Sequence, residues 1–229
     1  LADVDFMRYV PLGFHTGGEL VFHSYLIAWF HKLATIFGSN SVEQSAVIFP
    51  VFVFALTVIA FFLLSRKIFL DYLGELYSDI AALVASIFLV VIPVMLPRTI
   101  AGIPEKESTG FFFLFLSLYF FLCCWKAKTS VKHYIFALLA ALATAGMGYV
   151  WGGYIFIYLT ISISLLIAFF AGQTDKNKII SVAIWIFVSY FILSQSERYP
   201  IGVFLSSLTT LLPVFVLALM VVDYILNNT

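Results

Sequence analysis

The sequence predicts an all-α fold, a polytopic transmembrane bundle of about seven helices preceded by an interfacial helix. Hydrophobic residues make up 63% of the 229-residue chain and charged residues only 10%, and the mean hydropathy is +1.08. Soluble domains carry about 25% charged residues, so this chain has too few polar groups to cover a surface that faces water. Its apolar residues also fall into runs close to the roughly 20 residues that a bilayer-crossing helix needs.

The predicted elements follow one another without a soluble linker. The stretch from Glu19 to Phe37 mixes His23, His31 and Lys32 with apolar residues, which predicts an interfacial helix, with a true span as the alternative. Seven apolar runs then predict the transmembrane helices: residues 44–64, 79–97, 110–125, 133–151, 153–171, 179–194 and 203–226. We expect one membrane domain, with residues 1–43 in an outer loop that includes the interfacial helix and residues 44–229 in the bundle.

The distribution of Lys and Arg predicts the orientation of the bundle. Alternate loops on one side hold seven of them: Arg66, Lys67, Lys126, Lys128, Lys132, Lys176 and Lys178. The opposite loops hold Arg98, Lys106 and Arg198, to which the N-terminal segment adds Arg8 and Lys32. Because loops rich in Lys and Arg stay on the cytoplasmic side, the second set is predicted to face outward. That outward side also carries most of the acids near the N-terminus and in the loops: Asp3, Asp5, Glu19, Glu43 and Glu197.

The polar loop RTIAGIPEKEST, which runs from Arg98 to Thr109, holds the first candidate site. If the segment is extended, its period of two places the carboxylates of Glu105 and Glu107 on one face, where one cation could draw them together. Hard divalent cations such as Mg²⁺ or Mn²⁺ prefer carboxylate oxygen and often share their site with phosphate. Arg98 can contact a phosphate group in a bidentate manner. An ordinary solvated loop with two acids is the alternative that the spacing leaves open.

A second candidate site is the set His15, Glu19 and His23, which are spaced by four residues. On a continuous helix these side chains would share a face and could ligate a metal ion. Gly17 and Gly18 interrupt such a helix, and no fourth ligand is evident. Interfacial polar residues without a metal are therefore the alternative interpretation.

Two further groups lie on the predicted outer side. Tyr149 and Trp151 stand beside the Gly152–Gly153 pair, where a tight return between two spans is expected. An aromatic belt at the membrane surface is the alternative for these two side chains. Arg198 follows Glu197 in the next outer loop, where the two could equally form an ordinary solvated ion pair.

Taken together, the polar loop and the aromatic turn resemble motifs of the catalytic subunit family of oligosaccharyltransferases. Members of that family carry an outward loop of the form R-x-x-(A/S)-G-x-x-D-x-(D/E/H). Eukaryotic and archaeal members often have a Trp-Gly-Gly-Tyr turn one hairpin downstream. This chain has RTIAGIPEKE from Arg98 to Glu107 and then WGGY from Trp151 to Tyr154. Glu105 stands where the family usually has Asp, and its added methylene moves the carboxylate by about one bond length.

The resemblance extends roughly from Pro11 to the last span, and it implies a GT-C-like fold of the archaeal type in a cell membrane. The implied reaction is protein N-glycosylation, the transfer of an oligosaccharide from a polyprenyl (dolichyl) phosphate carrier to Asn in Asn-x-Ser/Thr acceptor proteins. The implied cofactor is Mg²⁺ or Mn²⁺, which would neutralise the phosphate leaving group. By motif position, the metal carboxylates are those of Glu105 and Glu107, and Arg98 lies near the reacting phosphate. The implied substrate-site residues are Tyr149, Trp151 and Arg198.

The resemblance also predicts family parts outside this sequence. We expect a first span and an acidic motif upstream of Leu1, and a fifth outer loop and a soluble domain downstream, so that residues 1–229 alone would be inactive. The main alternative is another membrane glycosyltransferase that uses a polyprenyl-phosphate sugar. A transporter is a weaker alternative, because transporters place ionisable groups near the bilayer midplane and these runs are nearly free of charge. The formal net charge of zero gives no reason to expect a nucleic acid partner; the expected partners are membrane lipid, the lipid-linked oligosaccharide and the acceptor protein.

Overall fold

The computed structural model describes residues 4–7, 9–38 and 40–228, except the side chains of Leu205 and Asn228. Asp3 and Arg8, which entered the predicted charge distribution, lie outside these residues. The described part begins with a short antiparallel pair, β1 (Val4–Asp5) and β2 (Phe14–His15), and a 3-10 turn at Thr16–Gly18. The helices that follow are α1 (Phe22–Ala34), α2 (Val42–Val91), α3 (Leu96–Thr99), α4 (Lys106–Trp125), α5 (Ser130–Val150), α6 (Tyr154–Phe170), α7 (Lys176–Leu193), α8 (Ile201–Ser206) and α9 (Leu208–Asn228). The prediction of an all-α fold is confirmed.

Helix α2 reverses its direction at Gly74, whose φ of 75° and ψ of −180° are not helical. Arg66 forms an ion pair with Asp79 across this point, although thirteen residues of straight helix would separate the two by about 20 Å. The amide of Gly102 also donates to the carbonyl of Val47 at 2.9 Å, so the chain has returned to the start of α2. The two halves of α2 correspond to the predicted runs 44–64 and 79–97.

Two of the predicted runs end or break earlier than the hydropathy indicates. The run 79–97 stops being helical at Val91 because Ile92, which precedes Pro93, is extended (φ −63°, ψ 122°). The run 203–226 is divided into α8 and α9 at Ser207, which is also extended. The Thr210 hydroxyl donates to the carbonyl of Phe204 at 2.8 Å across this break, and such local side-chain bonds compete with the helical ladder.

Five helices of the described chain are long and apolar enough to cross a membrane: α2, which is counted once, α4, α5, α7 and α9. Helix α6 is also apolar but too short to be counted with them. The count of about seven spans stays a prediction. Helix α5 lies at the centre of the bundle. Its most apolar 18-residue stretch is 56% buried, whereas the corresponding stretches of the other four helices are 28–39% buried. Its buried face consists largely of small residues, which let neighbouring helices approach closely: Ala137, Ala140, Ala141, Ala143 and Ala145.

A buried polar contact joins α5 to the two helices beside it. The fully buried Trp185 of α7 donates its indole N–H to the Thr144 hydroxyl at 3.0 Å. The Thr144 hydroxyl in turn lies 2.7 Å from the Ser117 hydroxyl of α4. Because buried polar atoms are costly when unpaired, this contact fixes α4, α5 and α7 relative to one another.

The predicted cytoplasmic loops lie together at one end of the bundle. Lys126 pairs with Asp71 at 2.7 Å and donates to the carbonyl of Lys67 at 2.9 Å. The ammonium of Lys178 lies 4.7 Å from the centre of the Trp125 ring. The loops predicted to face outward gather at the opposite end. Which end faces the cytoplasm stays a prediction.

Candidate functional site

The loop between α3 and α4 is anchored at the start of α2 and leads directly into α4. Gly102 has a φ of 95°, a left-handed conformation that favours glycine, and its amide donates to the carbonyl of Val47. After this turn the amide of Glu105 donates to the carbonyl of Ile103 at 2.8 Å. The Ser108 hydroxyl then donates to the carbonyl of Glu105 at 2.8 Å, which closes the first turn of α4.

Arg98 bridges the two carboxylates of this loop. Its Nη1 atom lies 3.1 Å from Glu105 Oε2 and 2.7 Å from Glu107 Oε1. The side chains of Arg98, Glu105 and Glu107 keep 44%, 39% and 24% of their surface exposed. Ion pairs this exposed contribute about 0–1 kcal/mol to stability. The cluster is therefore accessible from outside the protein and can exchange partners at small energetic cost.

The two carboxylates come together for a reason other than the one that their spacing indicates. Glu105 is extended (φ −73°, ψ 146°) at the residue that immediately precedes α4, and Glu107 lies in the first helical turn. They therefore do not share the face of an extended segment. Both lie at a helix N-terminus, whose partial positive charge favours carboxylates, and both contact Arg98.

The second candidate, His15, Glu19 and His23, lies on a chain that is interrupted as Gly17 and Gly18 indicate. Thr16–Gly18 is a 3-10 turn, Glu19 is extended, and α1 begins only at Phe22. Within residues 4–7, 9–38 and 40–228 no three His, Cys, Asp or Glu side chains are grouped as metal ligands. The three residues therefore do not form the metal site that a continuous helix would have allowed. In the polar loop, the structure likewise brings together two carboxylates, those of Glu105 and Glu107, without a third potential ligand among the described residues.

His23 instead contacts the polar loop, a role that the sequence did not indicate. Its Nε2 atom lies 3.0 Å from the carbonyl of Pro104, and its Nδ1 atom lies 3.0 Å from the Thr109 hydroxyl. The side chain is only 4% exposed, and burial lowers the pKa of His23 below its ordinary value. No local pattern could reveal these contacts, because 81 and 86 residues of sequence separate the partners.

Trp151 packs on α4, the helix whose first turn contains Glu107. A methyl group at Gly110 of α4 would lie 3.1 Å from Trp151 Cε3, and one at Gly153 would lie 2.2 Å from Trp151 Cζ3. The indole ring therefore occupies the space that these two glycines leave free. The Trp-Gly-Gly turn is thereby joined to the first turns of α4.

Tyr149 and Arg198 are engaged in packing contacts away from the two carboxylates. The Tyr149 hydroxyl donates to the carbonyl of Ile192 at 2.6 Å. Arg198 donates to the carbonyl of Gly18 at 3.3 Å. Next to it, the Tyr199 hydroxyl donates to the carbonyl of Gly148 at 3.1 Å. These contacts tie the outer loop of Arg198 to the N-terminal segment and to α5.

Comparison with known families gives one match over nearly the whole chain. The family model described as oligosaccharyl transferase STT3, N-terminal, matches residues 3–226. The chain is 25% identical over 181 residues to the STT3B subunit of the dolichyl-diphosphooligosaccharide–protein glycosyltransferase of Arabidopsis thaliana. It is 29% identical over 181 residues to the stt-3 subunit of the same transferase in Caenorhabditis elegans. Each alignment covers 77% of this chain but only 23% and 22% of these relatives.

Solved structures of an archaeal enzyme share the fold. The oligosaccharyltransferase of Archaeoglobus fulgidus, solved with zinc and sulfate, superposes with a TM-score of 0.73 at 20% identity. The Archaeoglobus fulgidus oligosaccharyltransferase AglB, solved with an inhibitory peptide and a dolichol-phosphate, gives a TM-score of 0.71 at 18% identity. Both superpositions cover 99% of this chain and 29% and 27% of the solved chains.

Proposed function

This chain belongs to the STT3 oligosaccharyl transferase family, and from that premise we propose that it forms part of an enzyme that N-glycosylates proteins. The reaction would transfer an oligosaccharide from a polyprenyl (dolichyl) phosphate carrier to the Asn side chain of an Asn-x-Ser/Thr acceptor. The observation that carries the proposal is the accessible cluster of Arg98, Glu105 and Glu107 at the N-terminus of α4. It combines carboxylates with a guanidinium beside the Trp151 turn. The family match supports a transferase over the transporter alternative.

The donor set of the cluster fits a hard divalent cation. Glu105 and Glu107 offer carboxylate oxygens, the ligands that Mg²⁺ and Mn²⁺ prefer, and both side chains are partly exposed. These two residues would hold the ion, which when bound neutralises a phosphate leaving group. The relative from Archaeoglobus fulgidus was solved with zinc and sulfate, and the presence of a divalent metal in that protein supports a divalent cation for this chain.

Arg98 has two roles in the proposed site. Its guanidinium now offsets the repulsion between two neighbouring carboxylates, with Nη1 bridging them. A guanidinium has five N–H donors in a planar fork, so donors remain for the oxygen atoms of a phosphate. Arg98 would thus orient the phosphate of the lipid carrier against the carboxylates. A dolichol-phosphate occupies the related archaeal enzyme, which supports this substrate class.

Trp151 is the proposed substrate-site residue that lies nearest in the fold to the carboxylate helix, because its ring packs against Gly110 of α4. An aromatic face at this point would cover the apolar end of the lipid carrier beside its phosphate. Tyr149 and Arg198 would act indirectly, since their polar atoms bond to backbone carbonyls. The acceptor would be a protein that presents Asn-x-Ser/Thr, as the peptide with the NVT sequon does in a third related structure.

The experiment that tests the proposal measures glycopeptide formation in membranes of cells that express the gene. Chelation of divalent cations should abolish transfer, and Mn²⁺ or Mg²⁺ should restore it. Changing Glu105→Gln together with Glu107→Gln should lower transfer by at least about 100-fold, because even residues behind metal ligands contribute about 10–100-fold. Glu75→Gln is the matched control, since Glu75 is exposed beside the turn at Gly74. Undiminished transfer by the double variant would refute a metal role for the loop.

A further inference from the structure

His23 is a buried group that connects α1 with both ends of the segment that bears the carboxylates. Pro104 immediately precedes Glu105, and Thr109 follows Glu107 by two residues. One imidazole ring contacts both of them, at 3.0 Å in each case. The two contacts therefore flank the two carboxylates rather than lying on one side of them.

The hydrogen-bond partners of His23 determine which of its two ring nitrogens carries the proton. The carbonyl of Pro104 can only accept a hydrogen bond, so Nε2 must carry the proton. In the neutral ring, which burial favours, Nδ1 then accepts from the Thr109 hydroxyl. Both ring nitrogens of His23 are satisfied by groups of the loop and of α4. Thr109 is buried, so a side chain that cannot donate to or accept from its hydroxyl would leave a buried polar group with one partner fewer.

The helix that carries His23 is itself held firmly against α2. Its His31 Nδ1 atom lies 2.8 Å from the Ser45 hydroxyl, and Phe30 packs on Phe49 and Phe52 with ring centres 5.5 Å and 4.8 Å apart. The His23 ring stands edge-on to the same Phe49 at 5.5 Å. The imidazole is therefore presented from a fixed surface, which is what a support for a neighbouring loop requires.

We propose that His23 is a positioning residue of the transfer site. By fixing Pro104 and Thr109, which flank the two carboxylates, His23 holds Glu105 and Glu107 in place relative to each other. This inference rests on the proposed function of the loop. Arg98 alone contributes little rigidity, because its ion pairs are exposed. His23 adds two side-chain contacts from outside the loop to the backbone bond between Gly102 and Val47. The two hydrogen bonds of His23 thereby keep the carboxylates of Glu105 and Glu107 close enough to bind one cation together.

The experiment uses the whole protein that the gene encodes, in detergent or in native membranes, and compares four variants. His23→Phe keeps the ring and its contact with Phe49 but removes both hydrogen bonds. Thr109→Val removes one of them from the opposite side without changing the shape, and Thr109→Ser keeps the hydroxyl. His31→Phe is the matched control, because His31 also bonds α1 to another helix but does not contact the loop.

Two quantities are measured for each variant: the Mn²⁺ concentration that gives half-maximal transfer and the Mn²⁺ affinity of the purified protein from electron paramagnetic resonance. We expect His23→Phe and Thr109→Val to weaken both by about 10-fold or more, while KM for the acceptor peptide stays unchanged. Thr109→Ser and His31→Phe should behave like the wild type. This pattern separates positioning from a general loss of stability, which would affect His31→Phe as well.

Unchanged Mn²⁺ dependence in His23→Phe and Thr109→Val would overturn the inference, as would an equal loss in His31→Phe. If His23→Phe fails to accumulate, the comparison of Thr109→Val with Thr109→Ser decides the question. A wild-type protein that neither binds Mn²⁺ nor depends on it would refute the proposed function, and the inference would fall with it. If the wild type depends on Mn²⁺ and His23→Phe and Thr109→Val depend on it to the same degree, only the inference about His23 fails and the proposed function stands.

Discussion

The two glycines of the Trp-Gly-Gly turn offer a sharp test of how Trp151 is held. Gly153 has a φ of −68° and a ψ of −1°, which alanine adopts readily, so Gly153→Ala introduces no backbone strain. The new methyl group would nevertheless lie 2.2 Å and 2.3 Å from two ring carbons of Trp151, and 2.9 Å from Met147 Cε. At Gly152 nothing lies within 4 Å of such a methyl group. Gly152→Ala is therefore a control at the neighbouring position.

The size of the effect follows from these distances. Ordinary contact begins at 3.4 Å, so the Trp151 ring must move by more than about 1 Å to make room at Gly153. Forcing an extra methyl group into a packed position costs about 1–3 kcal/mol. A misplacement of about 1 Å close to a reacting centre lowers a rate by about 100-fold.

The assay compares the initial rate of glycopeptide formation and the thermal unfolding temperature of the two alanine variants. We expect Gly153→Ala to lose about 100-fold in rate and to unfold at a lower temperature. Gly152→Ala should match the wild type in both measurements. Equal activity of the two variants would refute the reasoning, because it would mean that the position of the Trp151 ring has no bearing on transfer.

Three further predictions concern the cluster, the core and the orientation. Arg98→Lys should lower kcat/KM for the lipid carrier by about 10-fold, or about 1.4 kcal/mol, because an ammonium group cannot present a planar fork to a phosphate; steady-state kinetics at saturating acceptor peptide check this. Trp185→Phe should lower the unfolding temperature, at a cost of about 1 kcal/mol, because the Thr144 hydroxyl loses its indole donor, while KM values stay unchanged. An impermeant maleimide should label Ala101→Cys in intact cells but Lys128→Cys only after permeabilisation, with little background from the buried Cys123 and Cys124.

The sequence was sufficient to predict the helices because a bilayer imposes a strong and local constraint. A run of apolar residues is either long enough to span the membrane or it is not, and α4 to α7 lie within a few residues of the predicted runs. The errors occur where backbone chemistry overrides hydropathy. Ile92 is extended because Pro93 follows it, and the last apolar run divides at Ser207, where the Thr210 hydroxyl donates to the carbonyl of Phe204. Neither effect changes the average hydropathy of the segment.

The candidate site was predictable only in its sequence-local part. Glu105 and Glu107 stand in one short motif with Arg98, and the structure brings these three side chains together. The support of that motif comes from α1 through His23, across more than 80 residues, and a single sequence contains no record of such a pairing. His15, Glu19 and His23 show the limit of spacing alone, since equal spacing identifies a shared face only if the helix is continuous, and a 3-10 turn at Thr16–Gly18 interrupts it here.

Helices α4 and α5 form an antiparallel hairpin whose free end carries both Glu107 and Trp151. The seam between them is pinned halfway along by Ser117 and Thr144, and the ring of Trp151 closes it at the end by resting on Gly110. Glu107 and Trp151 therefore belong to one hairpin whose two helices are joined at two points. If the other helices of the bundle move relative to this hairpin, the distance between the Glu107 carboxylate and the Trp151 ring stays the same.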